Sequence, residues 1–406
     1  MPTICDIAII GAGPYGLSLA AHLRDTGISF RIFGKPMSTW RDHMPKGMHL
    51  KSEGFASNLS APDESSTLAA WCRANGVAYA PQKSPVALSD FVAYAHWFTQ
   101  NHVPALEEKD VTGLARCPDG FALTLEDGTA LVARRVVLAV GITSFKHMPG
   151  ELAGLPHEHV THSFDHHDCS AFAGREVAIL GAGASAVDTA IAMHEAGAKV
   201  QVITRRKSIW FHDAPDNQEP TLWRQIQSPD TGIGPGWRSF FCVNTPLLFH
   251  RLPQKLRLEA TRRHLGPAAG WFTRDKFIGQ IPAHGDCRLK SGRIVGGRVA
   301  LELTDGEGRE KVVMTDHVVA ATGYRVDLER LSFLAADVRR RIAQVDSTPI
   351  LSDNFESSLP GLYFVGLSAA NSFGPLLRFM CGAEFAAPRL SAHLLHRIAA
   401  GQRRAA

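Results

Sequence analysis

Gly11-Ala12-Gly13-Pro14-Tyr15-Gly16 stands between an apolar, β-branched run, residues 4–10, and a helical pattern over residues 17–23. A strand before and a helix after is the setting in which this glycine spacing cradles a dinucleotide phosphate. Gly11 permits the tight turn. Gly13 leaves the backbone open to a diphosphate, and Gly16 lets helix and strand pack closely. Pro14 and Tyr15 complete the loop, and the helix's free N–H groups and positive end face the anion. The next strand, residues 29–33, runs into Gly34-Lys35 with no carboxylate for a ribose, so either Lys35 and backbone groups hold the adenosine end or the ribose is bound by water.

The pattern returns at Gly181-Ala182-Gly183-Ala184-Ser185-Ala186, between a strand at 175–180 and a helix at 187–194. Ala186 in the third position satisfies the fingerprint. The strand that follows, residues 198–203, runs into Thr204-Arg205-Arg206-Lys207, again without an acid. Guanidinium groups bind phosphate through paired, charge-assisted hydrogen bonds, so Arg205 and Arg206 predict a 2′-phosphate and NADPH over NADH. An exposed basic turn is the competing reading. Two cradles imply two dinucleotides: FAD in one, and in the other the nicotinamide that reduces it, because side chains supply no hydride chemistry themselves.

Stepping outward, strands ending in glycine are expected at residues 134–141, 316–324 and 361–366, each bringing backbone close to a cofactor. Antiparallel meanders are expected over residues 112–131, with turns at Pro118-Asp119-Gly120 and Glu126-Asp127-Gly128, and over residues 288–313, with turns at Ser291-Gly292 and Thr304-Asp305-Gly306. The chain has 406 residues, 45% hydrophobic and 20% charged, with a formal charge of +4; this is the composition of a folded multidomain protein. No long basic run points to nucleic acid, and no stretch approaches the roughly 18 apolar residues of a membrane span. Seven cysteines include no C-x-x-C pair, which argues against a redox dithiol or zinc ribbon and for a reducing compartment; a cytoplasmic location is expected.

Gly11–Gly16 and Gly181–Ala186 combine with Ala321-Thr322-Gly323-Tyr324, Gly361–Gly366, Trp40-Arg41 and Met48-His49-Leu50-Lys51-Ser52. Together they resemble the class B flavin monooxygenases, nearest the microbial N-hydroxylating branch. Residues 34–53 are also similar to a flavoprotein subgroup that includes FAD-dependent urate hydroxylases. The family signature before the second cradle is partly present: His162 matches its histidine, while Pro156, Glu158 and His166 depart from it. The resemblance implies an α/β fold with two Rossmann-like dinucleotide-binding domains of the three-layer ββα type, the NADPH domain inserted into the FAD domain. Residues 1–165 and 326–406 then form the FAD domain, and 166–325 the NADPH domain with an insert at 208–287.

The implied FAD contacts are Gly11, Gly13, Pro14, Tyr15, Gly16, Lys35, Trp40, Arg41, Met48, Leu50, Val111, Gly141, Gly366, Phe373 and Leu376. Those for NADPH are Gly181, Gly183, Ser185, Ala186, Arg205, Arg206, Thr322, Gly323 and Tyr324. The implied activity is hydroxylation of a small polar substrate by dioxygen through a C4a-hydroperoxyflavin, either at the nitrogen of an amine or amino acid or on an electron-rich ring such as a purine. The alternatives are a pyridine-nucleotide-dependent flavin reductase without oxygen insertion and a non-catalytic redox-sensing flavoprotein. Neither a nucleic-acid nor a membrane partner is expected.

No catalytic dyad or triad stands out; Ser52, Asn371 and Ser372 are the candidates for a catalytic contact. Arg238, Asn244 and Arg274, in the insert, are candidate substrate contacts, and His212-Asp213 is placed to touch NADPH. The histidine-rich tract 157–168 reads as a polar inter-domain linker, with a metal site as the alternative reading. Pro375 is a helix-start signal, and a helix there would aim its N-terminus at the flavin with Asn371, Ser372 and Phe373 lining the flavin's face.

Overall fold

The computed structural model describes residues 3–214 and 221–405. Residues 215–220 of the expected insert lie outside the described residues. The first strands are β1 (Thr3–Ile10), β2 (Phe30–Phe33), β3 (Val111–Cys117), β4 (Gly120–Leu125) and β5 (Ala130–Leu138). Then come β6 (Val160–His162), β7 (Glu176–Leu180), β8 (Lys199–Ile203) and β9 (Ala283–His284). β10 (Arg288–Val295), β11 (Arg298–Thr304), β12 (Glu310–Thr315) and β13 (His317–Ala320) follow, then the short pair β14 (Gln344–Val345) and β15 (Thr348–Pro349), and finally β16 (Leu362–Phe364).

The first sheet runs β2-β1-β5-β4-β3, with β16 also paired to β5. β1 is parallel to both β2 and β5, and its Ile7, Ala8 and Ile9 are wholly buried. A continuous apolar run suits a parallel strand covered on both faces. β5 changes neighbours along its length. Ala130–Ala133 pair antiparallel with β4, while Val136–Leu138 pair parallel with β16. The chain's late strand thereby completes the sheet its first strand began. The helix Pro14–Leu23 packs between this sheet and the C-terminal helix Ala383–Ala405.

The second sheet, β6-β13-β7-β8-β9, is parallel throughout. Its side chains alternate between two cores, as the period of a strand requires. Val177, Ile179, Val202 and Val319 join the helix Ala184–Glu195 through Val187, Ala190 and Met193. Ala178, Leu180, Ile203 and Val318 face the antiparallel meander β10-β11-β12 through Val299, Leu301 and Leu303. Sheet, meander and helix make the three layers. Burying each Val, Leu or Ile adds about 1.5–3 kcal/mol to the layers' cohesion.

The histidine-rich tract departs in part from the polar-linker expectation: His157 and Asp168 are exposed, while its middle is built into the second sheet as β6. His162 and His166 are buried, and so is His317 on β13. Thr161 Oγ1 lies 2.6 Å from His166 Nε2 and 2.8 Å from His317 Nε2. His317 Nδ1 donates to the Glu158 carbonyl at 3.0 Å. A neutral His317 then accepts at Nε2, so the Thr161 hydroxyl donates to it and His166 donates to Thr161. His162 accepts the Phe164 N–H at Nδ1 (3.1 Å) and donates from Nε2 to the Gly323 carbonyl (3.1 Å). His317 ties the entry of β13 to the entry of β6, and His162 ties the exit of β6 to the turn after β13. Among the described residues no three metal-ligating side chains cluster.

The C-terminal segment departs from expectation. Pro375 opens a 3₁₀ turn, Pro375–Arg378, a second turn covers Met380–Gly382, and the long helix begins at Ala383. The cause is local. Gly374 has φ +96°, and a Cβ on Gly382 would lie 2.3 Å from Tyr15 Oη, so the chain is held against Tyr15 before it can wind. The insert forms short helices at Leu222–Gln227, Trp237–Asn244, Pro246–His250 and Gln254–Arg263. Among the described residues no helix is long and apolar enough to cross a membrane.

Candidate functional site

β1 delivers the first cradle directly. Gly11 has φ +113°, and a Cβ there would lie 2.3 Å from the Ala139 carbonyl oxygen. A Cβ on Gly16 would lie 1.9 Å from the Gly11 carbonyl oxygen. Both glycines are therefore demanded by backbone packing. Gly13 differs: a Cβ there meets nothing within 4 Å. It precedes the helix Pro14–Leu23, whose N-terminus has no side-chain cap. Uncapped N–H groups beside open space fit a diphosphate. Tyr15 donates to the Phe379 carbonyl at 2.6 Å, and its ring lies 3.2 Å from where a Cβ of Gly366 would stand, tying cradle to C-terminal turn.

β7 delivers the second cradle in the same way. A Cβ on Gly181 would lie 2.4 Å from the Ala321 carbonyl oxygen and 3.1 Å from Ala186 Cβ. The helix Ala184–Glu195 also lacks a side-chain cap. Arg205, Arg206 and Lys207 are exposed at the end of β8. The position equivalent to Gly13 is not open here: a Cβ on Gly183 would lie 3.2 Å from Pro267 Cβ.

Beside the second cradle's helix lies a cavity of about 670 Å³. Trp40, Met48, Leu50, Lys51 and Ser52 wall it from the first half, and Ser185, Asp188 and Thr189 from the helix of the second cradle. Tyr324, Phe272 and residues 378–381 close other sides, and the insert contributes residues 228–235. Asp188 also lines a neighbouring cavity of about 360 Å³. Burial raises the Asp188 carboxyl to about 7, opposed by the Lys51 ammonium; burial lowers Lys51 in turn, while Asp188 resists that shift. The enclosure lowers His212 and raises Tyr324 for the same reason, loss of water around the charged form. Ser163 Oγ and Thr189 Oγ1, on residues of this wall, are buried with no hydrogen-bond partner.

The sequence-predicted residues divide. Trp40, Met48, Leu50, Ser52, Ser185 and Tyr324 meet at the cavity, as do His212 and Asp213. Ser52 Oγ is 2.8 Å from Ser57 Oγ. Thr322 donates to the His147 carbonyl, and Gly323 (φ +80°) offers its own carbonyl to His162. Gly141 (φ +60°) has open space around it, Lys35 is exposed and 3.8 Å from Asp110, and Val111 opens β3 half-buried.

Other candidates lie away from this cavity. Arg41 is exposed and forked onto Asp42, both bonds 2.8 Å. Phe373 is wholly buried, stacked 4.7 Å from His250 and packed 4.3 Å from Phe355, while Leu376 is core. Asn371 donates to Thr348 Oγ1 at 3.0 Å, and the Ser372 carbonyl accepts from His250 and Arg257. None of these lines the cavity. Neither do Arg238, Asn244 and Arg274, which are exposed on short helices; Asn244 Nδ2 donates to Phe240 O, one turn back in its own helix. Lys51 and Asp188 were missed as site residues. Their signal was a carboxylate among Ala186, Val187, Thr189 and Ala190 on a helix with nothing else charged nearby.

The pyridine nucleotide-disulphide oxidoreductase family matches residues 8–227. An FAD-dependent urate hydroxylase of Xanthomonas campestris is 26% identical, over 96% of this chain and 85% of that protein. A ferredoxin–NADP reductase of Gluconacetobacter diazotrophicus is 25% identical, over 73% of this chain and 70% of that one. Among solved structures, the ornithine N-hydroxylase of Kutzneria sp. 744 superimposes with a TM-score of 0.75 at 16% identity, covering 98% of this chain and 100% of that one. The bacillithiol disulfide reductase of Staphylococcus aureus gives 0.63 at 18% identity, covering 97% and 99%. The fold is thus that of two-dinucleotide-domain flavoproteins, as the resemblance implied.

Proposed function

The chain belongs to the pyridine nucleotide-disulphide oxidoreductase family, and from that premise we propose that it is an NADPH-dependent flavin monooxygenase acting on a small polar substrate. FAD is assigned to the first cradle, where Gly13 is open, and NADPH to the second, where Arg205 and Arg206 meet the 2′-phosphate. When bound, the pair supplies hydride transfer and activation of dioxygen.

The single observation that carries the reading is the walled cavity on which the second cradle's helix, the segment around Trp40–Ala56 and the Lys51–Asp188 pair converge. Trp40, Met48, Leu50, Phe272 and Met380 keep water from the reacting atoms. Asp188, titrating near neutrality, holds or releases a proton at its carboxylate, and Lys51 sets the field it feels. The polar wall suits a substrate with both N–H donors and oxygen acceptors. A purine or an amino acid fits that description, and the urate and ornithine in the relatives' names are one of each. A small-molecule substrate and dioxygen are the partners; nucleic acid and membrane have no part in the reading.

Disulphide chemistry, the other branch of the family, lacks its nucleophile. All seven cysteines are free, none stands in a C-x-x-C pair, and burial pushes Cys381, on the cavity wall, up to about 12. Electron transfer without oxygen insertion is the second reading, favoured by the ferredoxin–NADP reductases among the relatives. The test is to supply NADPH and isotopically labelled dioxygen with a panel of purines, amines and amino acids. Label in an organic product, with NADPH consumption stimulated by that compound, supports the monooxygenase. Peroxide as the sole oxygen product, or turnover only with ferredoxin, supports the reductase. Absence of reduction by NADPH leaves a redox-sensing flavoprotein.

A further inference from the structure

Residues 264–270 cross the mouth of the second cradle. Pro267 is exposed, yet its Cβ stands 3.2 Å from the point where Gly183 would carry one. Arg206 Nη1 donates to the Pro267 carbonyl at 3.2 Å, and a Cβ on Gly266 would lie 3.1 Å from Arg206 Nη2. From the opposite side, Lys51 Nζ donates to the Ala268 carbonyl at 2.9 Å. The Ala269 N–H donates to Trp210 O at 2.8 Å, and the His212 N–H returns to Ala269 O at 3.0 Å. Leu265 enters the segment at φ +54°, a left-handed conformation unfavourable for a branched side chain.

The segment is held by carbonyl oxygens resting on two cations. These are the cations that the proposed dinucleotide and its cavity would use. A phosphate oxygen is a stronger acceptor for a guanidinium than a peptide carbonyl, because the hydrogen bond is charged on both sides. Pro267 and a diphosphate would also contend for the same approach to Gly183, since that glycine's missing side chain is what opens the backbone.

We propose that residues 264–270 form a strap that competes with the pyridine dinucleotide for the second cradle. Binding passes Arg206 from Pro267 to the ligand's phosphate and releases Lys51 from Ala268 into the cavity beside Asp188. The strap lowers the apparent affinity by the fraction of time it is seated, and it couples arrival of the dinucleotide to the charge state of the cavity. No bond is made or broken covalently. The proposal rests on the assignment of the second cradle to a pyridine dinucleotide.

The test uses the full-length flavoprotein with NADP⁺ as the probe, read by calorimetric titration and by amide hydrogen exchange. Wild type should bind NADP⁺ and show faster exchange at the Ala269 and His212 amides once bound. Pro267→Gly loosens the strap and removes the atom facing Gly183, so its Kd for NADP⁺ should fall about three- to fivefold. Binding without faster exchange, or a higher Kd in Pro267→Gly, overturns the strap while leaving the cradle assignment standing. No NADP⁺ binding to either protein overturns the assignment and the strap together. Binding by Pro267→Gly alone supports both. Should the variant fail to fold, the exchange response of wild type decides.

Discussion

The two cradles share the strand–glycine–helix plan, with Gly16 in one where Ala186 stands in the other, and they differ in what their middle glycine faces. Gly13 faces open space, whereas Gly183 faces Pro267. Around them the surroundings differ too. The first sheet draws strands from both ends of the chain, so its cradle is backed by the C-terminal helix and by Tyr15 bonded across to Phe379. The second lies in one contiguous stretch and is overlaid by a segment held with hydrogen bonds. An open, well-backed cradle suits a cofactor that stays; a covered one suits a cofactor that comes and goes.

Substitutions in the first cradle break this contrast most severely. Gly16→Ala forces a Cβ to 1.9 Å from backbone oxygen, and the expected cost exceeds about 3 kcal/mol, enough to lose soluble protein. Gly13→Ala has φ −86° and open space, so the apoprotein's unfolding free energy should change by no more than about 1 kcal/mol while flavin retention collapses. Denaturant unfolding of apoprotein beside the visible spectrum of purified protein separates the two. A Gly13→Ala protein that stays fully yellow would remove FAD from the first cradle.

That distinction within one motif marks the limit of what the sequence carried. Strand–glycine–helix context located both cradles and the parallel strands, because buried parallel strands advertise themselves as continuous apolar runs. Turn chemistry located the first meander and one turn of the second; Ser291-Gly292, read as a turn, lies inside β10, and the chain reverses at Gly296-Gly297 instead. Position along the chain did not disclose depth: Phe373 and Ser372, placed at the flavin by proximity to a helix signal, are core. Arg238 and Asn244 lie on short helices whose polar faces meet water. Asp188 escaped notice because its role depends on Lys51, far away in sequence and near in space. The histidine tract read as linker, since composition alone cannot show that Thr161 joins His166 to His317.

Those histidines sharpen the comparison, for the first sheet has no equivalent lock. Burial depresses His162, His166 and His317 to about 4, below the ordinary value near 6.5. Between those values the unfolded chain binds protons that the folded chain refuses, so stability is full above about pH 6.5 and falls as the pH drops toward 4. Each histidine contributes a slope of up to about 1.4 kcal/mol per pH unit within that window. Thermal unfolding from pH 7 to 5 should show a steep fall, eased in part in Thr161→Val/His317→Phe, which removes one of the three proton sites. A flat profile would mean the lock opens to water.

Arg205 separates the cradles by ligand. Arg206 holds both the strap and, in our assignment, the phosphate, so its removal has opposing effects; among the described residues Arg205 has no such second tie. Arg205→Ala should raise KM for NADPH about tenfold, roughly 1.4 kcal/mol, and leave NADH nearly unchanged. Equal changes for both nucleotides would dismiss the 2′-phosphate contact.

The smallest effects belong to the exposed cations of the insert, and their smallness is informative. Arg238 and Arg274 are exposed and off the cavity wall, and Arg41 is spent on Asp42. Single alanine substitutions at these three should each change unfolding free energy by about 0.5 kcal/mol or less, because exposed charges trade one hydration shell for another. Steady-state kcat/KM for NADPH should stay within about twofold, since none of the three touches the ground that dinucleotide and substrate share. A tenfold loss at Arg238 would mean that the helix Trp237–Asn244 swings onto the cavity during turnover. The mobile element would then extend beyond the strap, and the difference between the cradles would be one of whole segments rather than of a single proline.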